Sequence, residues 1–367
     1  MRRFFLYLVL AAFLAAPMVE MPAAEAATPA TAKNDKKAKS KVRHRVKSKS
    51  KAKSKARAGK KARISQRKVV VPRAITPLRL ASTTATPAGE DGLGLRSSAA
   101  LVVDQRSGEA LYAKNEDIPT SIASITKLMT AMVTLDADLP LDEEITISDE
   151  DVDRLKGTGS RLPLGARLTR DELLHLALIA SENRAAAALS RAYPGGREAF
   201  VRAMNRKARS LGMQDSLFVD GTGLNSRNRA TAMDLAKMVD AAYRYPLIRE
   251  ISSSGAYDVG LPGKHVVKVR EHGKVRRVTR EVTRTVAFNN TNALTRNDAW
   301  QIGVSKTGYI NEAGKCLVMQ ARIADRPVII VLLDSWGAWT RIGDANRIRK
   351  WLEQGGRMAS RTAHNSV

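Results

Sequence analysis

Apolar residues recur along this chain with two different periods. Ala99-Ala100-Leu101-Val102-Val103 is a continuous apolar run closed by Asp104. Gln105-Arg106-Ser107-Gly108 reads as a turn, and Ala110-Leu111-Tyr112-Ala113 as the returning strand. Over 124–135 the period changes: Ile125, Leu128, Met129, Met132 and Val133 fall at i, i+3, i+4, i+7 and i+8, one face of a helix. Thr169-Arg170-Asp171-Glu172 has the form of a capping box, in which Thr and Glu each satisfy a backbone N–H of the first turn, so a helix is predicted over 173–180. Helical spacing continues over 184–193, 197–211 and 231–243. In the last third, 266–269 and 275–287 flank His272-Gly273 as a basic hairpin. Strands are predicted over 299–305, 315–323 and 327–333, and a closing helix over 340–353. Strands at both ends with helices between them point to an α/β (α+β) fold whose terminal strands share one sheet.

Composition changes this picture at the N-terminus. Of 367 residues, 44% are hydrophobic, which supplies a core and excludes disorder throughout. Only one apolar run approaches spanning length, at the N-terminus, which argues against a membrane bundle as well. The formal net charge is +26, and it is unevenly placed. Residues 28–80 hold 20 Lys or Arg against one acid, Asp35, whereas residues 81–367 keep a net charge of only +7. The stretch 36–63 is Lys, Arg, Ala, Ser and Val with no hydrophobic period, and it reads as a solvated arm.

Such an arm would suit phosphate neutralisation on nucleic acid. The first residues argue against that use. Met1-Arg2-Arg3 is basic, 4–19 is apolar except for Pro17, and Ala24-Glu25-Ala26 offers small residues at −3 and −1 of a cleavage site. The expected organisation is a signal peptide over 1–26, a basic arm and linker over 27–94, a folded domain over 95–355 and a polar tail over 356–367. A periplasmic protein with no nucleic-acid partner is expected, its residues 33–68 attracted to anionic envelope polymers or lipids. The single cysteine, Cys316, excludes an internal disulfide and a multi-Cys zinc site, and it reads as a small apolar residue on a core strand. No H-E-x-x-H segment is present, and neither a metal nor a cofactor is implied.

Three short segments carry chemistry. Ser124 and Lys127 open the first helix at i, i+3, which places both on one face. A Ser hydroxyl needs an adjacent base, and Lys becomes one when desolvation or nearby cations lower its pKa. Ser181 and Asn183 follow the capped helix, where Ser can pass a proton and Asn can hold an amide. Lys306-Thr307-Gly308 ends a predicted strand: Lys and Thr can meet a carboxylate, and Gly lets another backbone come close. S-x-x-K also occurs in the arm, at Ser48 and Lys51 for instance, so each motif alone is weak. In order and on suitable elements, they are specific.

The stretch Ile122-Ala123-Ser124-Ile125-Thr126-Lys127-Leu128-Met129-Thr130 resembles the active-serine segment of low-molecular-weight penicillin-binding proteins. Ala180-Ser181-Glu182-Asn183-Arg184 and the region from Cys316 to Trp351 resemble the D-alanyl-D-alanine endopeptidase branch of that family (the penicillin-binding protein 7 type). The likeness covers about residues 95–355. It implies a β-lactamase/transpeptidase-like fold, an antiparallel sheet flanked by helices with an all-helical insert. It further implies that Ser124 attacks a D-Ala carbonyl of a peptidoglycan muropeptide, with Lys127 as proton acceptor and Ser181 as relay to the leaving amine. Asn183 would orient the peptide, and the N–H groups of Ser124 and Tyr309 would form an oxyanion hole. Lys306, Thr307 and Gly308 would hold the substrate along a strand edge, with Lys306 and Thr307 nearest any terminal carboxylate. β-Lactam antibiotics would acylate Ser124.

Rival readings fit less well. Class A β-lactamases add a Glu that activates the deacylating water, and no matching segment lies between Asn183 and Lys306. A Ser-His-Asp hydrolase lacks its G-x-S-x-G here, and the five His are scattered. A D-alanyl-D-alanine carboxypeptidase is the nearer alternative. Such members usually add a C-terminal β-domain and an amphipathic helix, neither of which is expected in the short polar stretch after Trp351.

Overall fold

The computed structural model describes residues 69–72, 74–81, 93–271, 274–337 and 339–356. The apolar run at 99–103 belongs to β1 (Ser97–Asp104), which pairs antiparallel with β2 (Ala110–Lys114). Asp104 shapes the turn between them by accepting from the N–H of Arg106 at 2.9 Å and of Ser107 at 3.2 Å. Gly108 has a φ of 74°, and a Cβ there would fall 2.0 Å from the Arg79 carbonyl oxygen, so only glycine fits.

The chain continues through β3 (Thr120–Ser121), a 3-10 turn (Ala123–Ile125), α1 (Thr126–Asp136), β4 (Glu144–Thr146) and β5 (Arg167–Thr169). Then come α2 (Arg170–Ile179), α3 (Asn183–Arg191), α4 (Gly196–Ser210), β6 (Arg229–Ala230), α5 (Ala232–Tyr243) and α6 (Pro246–Ser253). A long hairpin of β7 (Ala256–Glu271) and β8 (Lys274–Asn289) precedes β9 (Gln301–Ile310), β10 (Gly314–Ile323), β11 (Arg326–Ser335) and α7 (Thr340–Glu353). The central sheet has the order β2-β1-β11-β10-β9, with antiparallel neighbours throughout. The first and last strands of the domain thus share one sheet, as their patterning predicts.

Both faces of that sheet are covered, which explains why β1 reads as a solid apolar run rather than an alternating one. Leu101 and Val103 face the layer holding α1 and α5, while Ala100 and Val102 face Ala345, Ile348 and Leu352 of α7. Asp344, fully buried, ties α7 to β1 by accepting from the Ser97 N–H at 2.8 Å and the Ser97 hydroxyl at 2.6 Å.

Helix α1 is buried from Thr126 to Leu135, on every side and not only along its apolar stripe. Ile125, Leu128, Met129 and Met132 each contribute about 1.5–3 kcal/mol by burial. The polar side stays satisfied because Thr130 donates to the Gly221 carbonyl at 2.6 Å and Thr134 to the Thr130 carbonyl at 2.8 Å. The predicted capping box is present: Glu172 N–H donates to Thr169 Oγ1 at 3.1 Å, and Thr169 N–H to Glu172 Oε2 at 2.9 Å.

Three elements differ from the sequence expectation. Ser124 lies in the 3-10 turn that leads into α1, not in the α-helix itself. Strand β9 runs through Lys306-Thr307-Gly308 instead of stopping before it, since pairing with β10 continues to Ile310. The hairpin is longer at both ends, and Pro262, which has no N–H to donate, is tolerated because among the described residues the ribbon has only two strands and no third one to require a donor there.

Val69, Val71, Ile75, Leu78 and Leu80, within the segment read as arm and linker, pack against the core. The expected signal peptide at 1–26, the arm at 33–68 and residues 357–367 of the tail lie outside the described residues. Among the described residues, no helix is long and apolar enough to cross a membrane.

Candidate active site

The three chemistry-bearing segments converge where the 3-10 turn, the α2–α3 junction and edge strand β9 meet. Lys127 is fully buried. Its Nζ lies 2.7 Å from Ser124 Oγ, 2.8 Å from Asn183 Oδ1 and 2.7 Å from the Thr222 carbonyl oxygen. Two of these partners can only accept. A neutral amine has two N–H groups and one lone pair. Its hydrogens are therefore taken by Asn183 and Thr222, and the lone pair is left facing the Ser124 hydroxyl. Burial favours that neutral form and lowers the Lys127 pKa to about 7, against the opposing attraction of Asp220, Glu182 and Asp153.

A second lysine completes the centre. Lys306 is only 1% exposed and donates to Ser181 Oγ and to the Thr307 carbonyl, each at 2.9 Å. Burial pushes its pKa well down, and the nearby cations Lys127 and Arg341 push the same way. Ser181 has a φ of 59°, an αL conformation that a serine adopts at a cost, and this aims its hydroxyl at Lys306 between the two helices.

Close backbone approach explains the glycines. A Cβ at Gly308 would lie 2.9 Å from the Ile122 carbonyl oxygen and 3.2 Å from Ser124 N. Glycine there lets β9 come against the turn that holds Ser124, with Tyr309 the next residue along the strand. Thr307 Oγ1 lies 2.7 Å from Thr291 Oγ1, just beyond β8. The Tyr309 ring is more than half exposed and lies under Lys315 Nζ at 4.4 Å from its centroid. All eight residues singled out in the sequence are thus in one place: Ser124, Lys127, Ser181, Asn183, Lys306, Thr307, Gly308 and Tyr309.

Several supporting groups were not legible from motif spacing. Asp220 accepts from the N–H groups of Thr222 and Gly223, both at 2.6 Å, and so bends the loop whose Thr222 carbonyl meets Lys127. Asn228, buried, holds the same loop by donating to the Asp220 carbonyl at 2.9 Å and to Thr126 Oγ1 at 3.1 Å. The cluster Asp220-Gly221-Thr222-Gly223 is a turn signal that could have flagged the loop, though not its destination. Glu182 accepts from the Ser160 hydroxyl at 2.7 Å, and Asn183 Nδ2 donates to Thr158 Oγ1 at 2.8 Å, so the loop between β4 and β5 is held against the start of α3 and closes one wall.

Arg341, at the start of α7, lies 3.5 Å from the Gly308 carbonyl oxygen through Nη1, and its buried Nε has no partner among the described residues. A guanidinium with an unpaired N–H beside edge strand β9 is suited to an incoming carboxylate. No sequence signal marks it. Cys316, opposite Gly308 on β10, is buried with its thiol raised to about 11, which suits the inert role expected of it.

The arrangement can generate an alkoxide-like nucleophile beside a neutral amine, with a second hydroxyl positioned by a second lysine. Comparison with known proteins matches this chemistry. The sequence model of peptidase family S11, described as D-alanyl-D-alanine carboxypeptidase, matches residues 82–337. The chain is 44% identical over 278 residues to a D-alanyl-D-alanine endopeptidase of Pseudomonas aeruginosa, covering 75% of this chain and 84% of that one. It is 41% identical over 284 residues to a D-alanyl-D-alanine endopeptidase of Escherichia coli, covering 77% and 84%. Among solved structures, the Streptomyces K15 DD-transpeptidase superposes with a TM-score of 0.60 at 28% identity, over 70% of this chain and 97% of that one. Penicillin-binding protein D2 of Listeria monocytogenes, in its ampicillin-bound form, gives 0.55 at 26% identity, over 70% and 96%.

Proposed function

The chain belongs to the D-alanyl-D-alanine carboxypeptidase family, peptidase family S11, and on that premise we propose that it is a serine D,D-peptidase. It hydrolyses D-alanyl bonds of peptidoglycan through an acyl-enzyme, cleaving peptide cross-links. The observation that carries the mechanism is the Lys127 amine, held by two pure acceptors with its lone pair toward Ser124 at 2.7 Å. The endopeptidase preference is supported by the 44% and 41% identity to relatives of that name.

In the first step Lys127 takes the Ser124 proton as Oγ attacks the D-Ala carbonyl carbon. The oxyanion is received by the N–H groups of Ser124 and Tyr309. The proton then reaches the leaving amine through Ser181, which Lys306 holds in place, and the C–N bond breaks. Water attacks the ester with Lys127 again as base, releasing the new carboxylate. Asn183 orients the peptide, and Thr307 and Gly308 lie along the edge of β9 to which an extended substrate can add. β-Lactams enter the same path and stop at the ester.

Digestion of purified cross-linked muropeptide dimers tests the bond choice. Monomers are expected; loss of only a terminal D-Ala would instead make the protein a carboxypeptidase. Slow release of bound benzylpenicillin is expected, and rapid turnover would place it with the β-lactamases.

Arg341 is the proposed partner for the carboxylate beside the leaving amine. Replacing it with Leu is expected to lower kcat/KM for carboxylate-bearing substrates by about 10- to 100-fold, the cost of one charge-assisted hydrogen bond. Peptides amidated at that carboxylate should lose little. An equal loss for both would assign Arg341 a structural role.

The N-terminal pattern supports export to the periplasm by a cleaved signal peptide, with residues 33–68 attaching the enzyme to anionic envelope polymers or lipids. The mass of the mature protein tests the cleavage, with Ala27 expected as its first residue.

A further inference from the structure

The outer part of the β7–β8 hairpin carries almost all the excess charge of the domain. Residues 262–284 hold eight Lys or Arg against two Glu, a net of +6 where the whole of 81–367 has +7. In the body Arg191 pairs with Asp151, Lys207 with Asp136 and Arg326 with Asp104. On the hairpin Lys264, Lys268, Arg270, Arg276, Arg277 and Arg280 are exposed, and none makes an ion pair among the described residues.

Register shows how these charges are spread. Opposed residues share a face, so Arg276, Arg280 and Arg284 lie on one side with Val267 and Val278. Lys264, Lys268, Arg270 and Arg277 lie on the other. Nine residues of β7 beyond Pro262 extend about 30 Å at strand rise. The root is fixed beside the catalytic cleft. Phe288 is buried, Arg161 donates to the Ala287 carbonyl at 2.9 Å, and Thr291, two residues beyond β8, meets Thr307 at 2.7 Å.

We propose that this hairpin is a docking arm for the peptidoglycan polymer itself, recognising the free carboxylates of its stem peptides and presenting the polymer to the adjacent cleft. The proposal rests on the peptidoglycan reading above. A flat anionic bilayer could meet only one face at a time, leaving the cations of the other in water. The segment 262–284 also contains no Trp, Tyr, Phe or Leu to enter a headgroup layer. A three-dimensional polymer mesh reaches both faces, and several weak exposed pairs then act together.

The test uses the full chain, N-terminal segment included, carrying Lys268→Gln, Arg276→Gln, Arg277→Gln and Arg280→Gln, none of which touches the site. Turnover of intact insoluble sacculi at low salt is expected to fall about tenfold, while soluble muropeptide dimers are cleaved within about twofold of wild type; the gap should close at high salt, where screening removes the attraction. Unchanged sacculus turnover overturns the proposal. So does unchanged turnover with new aggregation, which would make the charges guards of the ribbon's edges. Lost binding to vesicles of phosphatidylglycerol and phosphatidylethanolamine, with sacculi unaffected, would name a membrane as the partner. If wild type cleaves no dimer, the catalytic reading fails, and co-sedimentation of both proteins with sacculi still decides the hairpin's role.

Discussion

Ser124→Ala is expected to abolish covalent labelling by penicillin and to reduce muropeptide cleavage by roughly 10⁴-fold or more, as loss of a nucleophile does in other serine hydrolases. The fold should survive. The substitution removes one oxygen, and Lys127 keeps two acceptors, Asn183 Oδ1 and the Thr222 carbonyl. Ser181 is not an equivalent substitute, because Lys306 meets its Oγ as a hydrogen-bond donor at 2.9 Å and not as a base. Intact-mass spectrometry of labelled wild type and variant decides the matter. A retained adduct would move the nucleophile to another residue.

Acylation should follow the titration of Lys127. Its neutral form is the base, and burial sets its pKa at about 7. The rate of penicillin labelling should therefore rise with pH up to that value and level off above it. One pH unit below, the neutral fraction and the rate fall about tenfold. Lys127→Arg should remove the limb and the activity together, because guanidinium holds its proton at every accessible pH. Lys127→Ala should cost about 10²- to 10⁴-fold, the usual share of a general base. Stopped-flow acylation across pH 5–9 measures both. A flat profile in wild type would exclude Lys127 as the base, and a falling one would require its protonated form.

The carbonyl of Thr222 shows why this chemistry could not be completed from motifs. Residues 124 and 127 are neighbours because a helical turn makes i and i+3 adjacent, a local rule that the sequence alone satisfies. The Thr222 carbonyl is brought to Lys127 by Asp220 and Asn228, which act on backbone groups of a loop with no periodic pattern. Without that second acceptor nothing would fix the Lys127 lone pair toward Ser124. Arg341 is a parallel case. It is one Arg among many in the sequence, and it differs from the others through the fold of β11 and α7 over Gly308.

The hairpin marks a different limit. Alternating Val, Thr and Arg with His272-Gly273 between two runs foretold a turn and two strands. Their true length depended on Tyr257 stacking on His175 at 4.2 Å and on Phe288 meeting Arg161 at 3.8 Å. These contacts continue the ribbon down to its root, where local propensity would have ended it.

By itself, the sequence determined the candidate residues, the helical turn that sets Ser124 beside Lys127, the strands that share a sheet and the uneven placement of charge. Each of these depends on neighbours a few residues apart or on composition. Tertiary structure alone decided that burial brings the Lys127 pKa down to about 7, that Ser181 belongs to Lys306, and that a cationic ribbon stands beside the cleft. Desolvation and the pairing of distant backbone groups are properties of packed volume, and no spacing along a chain encodes them directly.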